Sequence, residues 1–282
     1  MAMVINTNVA SLNSQRMLDR TNMSLKTSME RLSSGLRVNS AKDDAAGLAI
    51  ADRMTSQVRG MTVAMRNAND GISMAQTAES AMGSITETLQ RMRDLGVQAA
   101  NRGAVSDSDR QKLQTEFKQL GDEINRIIEN TEFNGKKILN GSLVAAVFQV
   151  GAGTSANNQI SITVSDLQGV SGISAVAAGG VSIGSAATSD GVLSAINTID
   201  TAISRIDDFR ATLGAVQNRF TTTIGNLQSS IENQSAARSR ILDADFAVET
   251  SNLSRSQILQ QAGTAMLAQA NQSTQSVLSL LR

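Results

Sequence analysis

Apolar residues recur at alternating steps of three and four from Met54 through Val58, Met61, Met65, Ala68, Ile72 and Ala75. They resume after Glu79 at Met82, Ile85, Leu89 and Met92. This is heptad spacing, held far beyond the roughly 11–12 residues of an average helix. One helix from Asp44 to Ala100 would be roughly 80 Å long at a rise of about 1.5 Å per residue. An internal proline costs a helix ~3 kcal/mol, and the chain has no proline, where average usage gives about 14. A chain so written is committed to long helices.

Asn101-Arg-Gly103 reads as the stop of that helix, and Ser106-Asp-Ser-Asp109 supplies N-cap candidates for the next. There Leu113, Phe117, Leu120, Ile124 and Ile127 keep the spacing, and Asn134-Gly135 then marks a tight turn. A third seam follows Ser189-Asp190 through Ile196, Ile199, Ile203, Ile206, Leu213, Val216, Phe220, Leu227 and Ile231. Three complementary stripes imply a mainly α fold: a rod-like antiparallel coiled-coil bundle. Between about 142 and 188 the composition turns to Gly, Ala, Ser, Val and Ile. Val144–Val150 and Gln159–Val164 read as short strands bounded by Gly151-Ala-Gly153 and Gly179-Gly180. The expectation is a small β-rich insertion at one end of the rod.

Aromatic residues are 2% of the chain, all Phe, so the core is built from Leu, Ile, Val, Met and Ala. There is no His, Cys, Trp or Tyr. Zinc, copper, haem and iron–sulfur sites thereby lose their usual ligands, and Cys–His and Ser–His–Asp catalysis lose their base. No cofactor, no metal and no enzymatic activity are expected. Lys+Arg and Asp+Glu are 25 each, a net charge of zero, which argues against nucleic-acid and anionic-membrane partners. Met1-Ala-Met-Val-Ile-Asn6 lacks the basic and apolar regions of a secretory signal. The protein either stays in the cytoplasm or leaves by a route without a cleavable signal.

Both ends are amphipathic and short of charge. Ile5, Val9, Leu12, Leu18, Leu25, Met29, Leu32 and Leu36 mark one stripe. Phe246, Leu253, Leu267 and Leu281 share one heptad track with Gln260 and Thr274 at the end of the chain. Residues 1–15 and 256–281 contain no charged side chain. A solvated helix normally displays charges, and repeated charges repel between copies, so these helices read as assembly surfaces. Frayed terminal helices folded back on the rod are the plainer alternative. Each stripe alone buries too little to offset its ordering entropy before a partner arrives.

Several segments resemble bacterial flagellin: Met1-Ala-Met-Val-Ile-Asn-Thr-Asn8, Arg31-Leu-Ser-Ser-Gly-Leu-Arg37, Asn39-Ser-Ala-Lys-Asp-Asp-Ala-Ala-Gly-Leu48 and Thr131-Glu-Phe-Asn-Gly-Lys-Lys137. Ala237-Arg-Ser-Arg-Ile-Leu-Asp-Ala-Asp-Phe246 and Val277-Leu-Ser-Leu-Leu-Arg282 extend the likeness to the other end. It covers about 1–141 and 190–282, with Met3 where the family usually has Gln and with a short middle. The resemblance implies paired terminal helices at 1–43 and 244–282 forming an inner tube, a helical rod at 44–141 and 190–243, and a variable insertion at 142–189. It makes Ile5, Val9, Leu12, Leu18, Leu25, Leu32, Phe246, Leu253, Leu267 and Leu281 the polymerisation residues. Ser33–Asp44 and Arg238–Asp245 become the two connections, with Gly35, Asn39 and Ser40 supplying turn chemistry and Lys42, Asp43 and Asp44 capping or pairing.

By the same resemblance the chain is secreted by type III export and builds the extracellular flagellar filament for swimming. Its partners would be further copies of itself, an export chaperone on the C-terminal helix, and the filament cap and hook–filament junction proteins. Leu89-Gln-Arg-Met-Arg-Asp-Leu-Gly-Val-Gln98 resembles the segment read by vertebrate Toll-like receptor 5. That makes Arg91, Leu95 and Gln98, with Glu116 on the neighbouring helix, the implied receptor contacts. Arg91, Leu95 and Gln98 stand at i, i+4 and i+7 on one helical face, although Leu95 could equally be a packing residue. A hook–filament junction protein and a coiled-coil adhesin with its ligand in the insertion are the competing readings. Asp243-Ala-Asp245 could be half a cation site, but it lacks the further carboxylates and Gly of a calcium loop. Asn22-Met-Ser24 and Asn271-Gln-Ser273 match the glycosylation pattern only inside expected helices.

Overall fold

The computed structural model describes residues 7–143, 145–163 and 166–280, with side chains of the last helix described as far as 272. Among them, six α-helices run in order: α1 (Val9–Ser34), α2 (Ala45–Ala100), α3 (Asp107–Asn130), α4 (Ile173–Ala177), α5 (Ser189–Leu242) and α6 (Phe246–Leu280). Two antiparallel hairpins pair β1 (Glu132–Phe133) with β2 (Lys136–Lys137), and β3 (Ala146–Gln149) with β4 (Gln159–Ile162). The chain divides into two compact units, Met1–Gln57 with Glu232–Arg282, and Val58–Ile231. The connecting segments and the adjoining ends of α2 and α5 thus belong to the same unit as α1 and α6.

In the Val58–Ile231 unit the heptad residues become the core. Met82, Ile85, Leu89 and Met92 of α2 are fully enclosed, with Phe117, Ile124 and Ile128 of α3 and Ile199, Ile206 and Phe220 of α5. Helices α2 and α5 run antiparallel, because Arg93 pairs with Asp200 at 2.7 Å while Glu79 accepts from Gln217 at 2.9 Å. The Asp200 carboxylate raises the Arg93 pKa above its ordinary value, chiefly through this hydrogen bond. Glu79, the one break in the α2 pattern, is therefore satisfied by an amide from the facing helix. Ser106 caps α3 as expected, accepting from the Asp109 amide at 3.2 Å. Asn134 and Gly135 take φ of +50° and +74° between β1 and β2, the left-handed pair that a two-residue hairpin requires.

The insertion lies along the helices rather than at one end of them. Asn67 on α2 donates to the Gln149 carbonyl at 3.0 Å, and Gln114 on α3 accepts from the Ile183 amide at 2.6 Å. Ile160, Ile162, Leu167, Ile173, Val176 and Ile183 are buried in the same core as the helices. Short helix α4, unmarked by any periodicity, rests against α3 where Gly121 leaves room: a Cβ there would stand 2.9 Å from the Val176 carbonyl oxygen. The observed strands are shorter than their apolar runs, and Val144 and Val164 lie outside the described residues. Arg110, only 1% exposed, donates to the Gly184 and Ala187 carbonyls at 2.6 and 2.9 Å, and Arg102 donates to the same Ala187 carbonyl. These charge-assisted bonds fasten the end of the insertion before α5 begins.

Phe220 is the aromatic centre of this unit. Its ring meets that of Phe148 edge-on at 5.7 Å and 90°, and its tip abuts Gly71, where a Cβ would stand 2.7 Å from Cζ. Alanine is favoured over glycine in a helix by roughly 1 kcal/mol, but overpacking a closed core costs about 1–3 kcal/mol. Gly71→Ala is therefore expected to lower the urea midpoint. Gly214→Ala on α5, with no atom within 4 Å of its added Cβ, is expected to raise it.

Candidate functional site

In the other unit, α1 and α6 pair antiparallel. Asn8 donates to the Ala270 carbonyl at 2.9 Å, Gln260 donates to Asn22 at 2.9 Å, and Arg31 faces Glu249 at 3.7 Å. The positions turned to this seam step by sevens in two columns on each helix. On α1 they are Ser11, Leu18, Leu25 and Leu32, beside Ser14, Thr21 and Ser28; on α6 they are Leu253, Gln260 and Leu267, beside Glu249, Ser256, Gly263 and Ala270. One column on each helix is thus made mostly of small residues, which lets Cα atoms of the two helices come within 8 Å of each other. A Cβ on Gly263 would stand 3.3 Å from Leu18.

This arrangement separates the expected polymerisation residues into two groups. Leu18, Leu25, Leu32, Leu253 and Leu267 are half-buried in the seam within one chain. Val9, Leu12 and Phe246 are exposed. Ile5 and Leu281 lie outside the described residues. The spacing missed a further set on the flanks: Met17 is 54% exposed, Leu259 51% and Met266 63%, with Met23 and Ile258 also open to solvent. Met17, Leu259 and Met266 line a groove of about 400 Å³ over the seam. A second groove, of about 540 Å³, shares Met17 and Leu259 and adds Met23 and Arg20. Three of these apolar residues immediately precede a seam position, in Met17-Leu18, Leu259-Gln260 and Met266-Leu267. The doubled apolar pairs Met17-Leu18 and Met266-Leu267 are the sequence signal: a helix with one buried seam needs only one apolar residue of each pair.

The two connections are bonded to each other. Gly35 closes α1 at φ +72°, and its carbonyl accepts from the Ala244 amide at 2.9 Å. Leu36 bridges antiparallel to Asp243, and Arg37 donates to the Ile241 carbonyl at 2.6 Å through its guanidinium. Asp44 accepts from the Gly47 amide at 2.8 Å and caps α2. Asp245 does the same for α6 toward Ala247 and Val248, while Asp243 accepts from the Ser239 hydroxyl at 2.5 Å. The paired aspartates of the Asp-Ala-Asp segment thus serve backbone and hydroxyl partners.

The implied receptor residues divide as well. Arg91 on α2 donates to Glu116 on α3 at 2.7 Å, with side-chain exposures of 56% and 43%, and Gln98 is exposed. Leu95 is 1% exposed. As a direct contact Leu95 is therefore corrected: its side chain faces the core between α2 and its neighbours, and it can only support the surface above it.

These features define a class first: an α-helical structural subunit whose chain termini are paired and whose flanks offer apolar surface. The model of the bacterial flagellin N-terminal helical region matches residues 5–143, and that of the C-terminal helical region matches 196–281. The flagellin of Bacillus subtilis (strain 168) is 44% identical over 307 residues, covering 99% of this chain and 100% of that one. Flagellin D of Vibrio anguillarum is 39% identical over 377 residues, covering all of both. A putative flagellar hook-associated protein from Vibrio parahaemolyticus shares the fold at a TM-score of 0.59, with 15% identity over 71% of this chain and 100% of that one. The chain belongs to the bacterial flagellin family, a structural rather than enzymatic family whose members self-polymerise into the extracellular flagellar filament. No helix among the described residues is long and apolar enough to cross a membrane.

Asp43 organises the first connection, accepting from the Asn39 and Ser40 amides at 3.2 and 3.0 Å and from the Ser40 hydroxyl at 3.0 Å. The Ser40 amide, then its hydroxyl, then the Asn39 amide hold its carboxyl below the ordinary 3.8. A depressed folded-state pKa contributes stability that is present above the unfolded value and lost as pH falls through the folded one. Protection of the Asn39 and Ser40 amides, corrected for intrinsic exchange, should hold from neutral pH and fall below pH 3.8. In Asp43→Asn the protection should be lower throughout and lose that pH dependence.

Proposed function

We propose that this chain polymerises through the flanks of its α1–α6 pair, supplying the filament used for swimming. The supporting observation is an uncharged apolar flank left open on a coiled coil whose own seam is already closed, at Met17, Leu259 and Met266. Exposed apolar groups clustered this way mark an interaction surface, and a second copy meets it without repeating like charges. Contacts that do not close on themselves generate a helical polymer. In this reading 1–43 and 244–282 form the inner tube, 44–141 and 190–243 the surrounding helical rod, and 142–189 its outer insertion. Leu18, Leu25, Leu32, Leu253 and Leu267 shape the tube element from within, and Val9, Leu12 and Phe246 add to its outer surface. Secretion by type III export, an export chaperone on α6, and contacts with the cap and hook–filament junction proteins complete the proposal.

Recognition of the monomer by Toll-like receptor 5 is a second reading. The likeness of Leu89–Gln98 to the receptor-read segment supports it, together with the exposure of Arg91, Gln98 and Glu116 on one surface. The same surface could pack between filament subunits, so monomer and polymer would compete for it.

Two substitutions test these readings. Leu259→Glu changes an exposed residue, so the monomer's stability should move by no more than about 0.5 kcal/mol. Seeded growth into long uniform tubes, followed by electron microscopy, should stop; unaltered growth would refute the flank as the contact. Arg91→Ala breaks a solvent-exposed ion pair worth less than about 1 kcal/mol. Receptor signalling by the monomer should drop sharply with unfolding nearly unchanged, and undiminished signalling would dismiss the receptor reading.

A further inference from the structure

Apart from Met54, Met61 and Met65, which are half-buried or buried on α2, the methionines of the described residues fall into two classes by place. Met74, Met82 and Met92 are buried in the Val58–Ile231 unit, at 3%, 1% and 0% exposure. Met17, Met23, Met29 and Met266 are all more than half exposed, and all lie on α1 or α6. Met17 and Met266 line one groove over the seam, Met17 and Met23 the other, and Met29 lines neither. An exposed thioether is a flexible apolar filler for a contact. It is also the side chain that a mild two-electron oxidant converts to a polar sulfoxide, reversibly.

We infer that Met17, Met23 and Met266 form an oxidation-sensitive assembly site, at which peroxide blocks subunit addition while leaving each folded unit intact. The inference rests on the α1–α6 flank being the polymerisation surface. In the reaction the sulfur lone pair attacks one peroxide oxygen, the S–O bond forms and the O–O bond breaks. The departing hydroxide takes up the remaining proton as water, so sulfur is oxidised by two electrons and peroxide reduced by two. The new oxygen demands hydrogen bonds. In solvent it has them; when a second copy covers the uncharged groove of Met17 and Met266 that supply is lost, and desolvating the oxygen opposes the contact. Oxidation therefore penalises the joined state and spares the free one. Once a subunit is incorporated the same thioethers are covered, so the device acts on addition of new subunits and not on the polymer already made.

The test uses the full-length chain, hydrogen peroxide and sheared filament seeds. Peptide mass mapping should find sulfoxide at Met17, Met23, Met29 and Met266 and unmodified Met74, Met82 and Met92, with the helical circular dichroism unchanged. Seeded elongation by light scattering should slow by at least about tenfold and recover on treatment with reductases acting on both sulfoxide epimers. A Met17→Leu, Met23→Leu, Met266→Leu variant should elongate equally before and after peroxide, whereas Met29→Leu should give no protection. Undiminished elongation of protein with mapped sulfoxides at the three positions overturns the inference. So does equal inhibition of the triple variant, and so does full peroxide access to the three residues in intact filaments. If the triple variant does not elongate untreated, recovery of oxidised wild type by the reductases decides. Wild type that fails to elongate before any oxidant overturns the filament reading itself.

Discussion

The close pairing of α1 with α6 is the interaction on which the terminal unit depends. Neither helix can seal itself, because each carries only one column of large apolar residues, Leu18, Leu25 and Leu32 on one and Leu253 and Leu267 on the other. The small columns beside them, Ser14, Thr21 and Ser28 on α1 and Ser256, Gly263 and Ala270 on α6, bring the backbones together. Most of the gain in such a seam is dispersion at short range and not area removed from water. It also leaves little apolar surface consumed, which is why Met17, Leu259 and Met266 remain for other use.

The Val58–Ile231 unit solves a different problem with the same alphabet. Nearly without aromatics, it fills its centre with Met and Ile from three helices beside two enclosed rings, Phe117 and Phe220, and makes room for the second with Gly71. The insertion supplies Phe148 and a set of isoleucines and valines that close the remaining side. It is thus part of the core. Buried Arg110 belongs to the same logic, since it supplies donors to two carbonyls of the incoming chain, at Gly184 and Ala187.

Much of this was legible in the residues. The positions Met82, Ile85, Leu89 and Met92 identified their own burial, Ser106 its cap and Asn134-Gly135 its hairpin, because each depends on neighbours within a turn or two. The family was legible too, in segments at both ends. What spacing could not reveal depends on partners distant in the chain. The heptad track from Phe246 to Leu267 shows that α6 has a seam but not which helix fills it; the resemblance alone implied the pairing, and Leu18 and Leu253, expected between copies, lie in the seam within one chain. Leu95 satisfied a three-residue surface pattern and is nevertheless enclosed, since helical phase alone cannot say which side of a face the core occupies. Helix α4 has too few residues to show a period and is held by the hole at Gly121.

The bond from Asn8 to the Ala270 carbonyl spans 262 positions of sequence. Bringing ends so far apart into register carries a loop-closure entropy that only the completed chain can offset, and contacts of this range form late. Helix α1 is therefore made early in synthesis and lacks its counterpart until nearly the last residue is available. A chain missing its final helix would keep the buried core of the Val58–Ile231 unit, to which no described residue of α6 contributes, but would leave the seam of α1 without its partner.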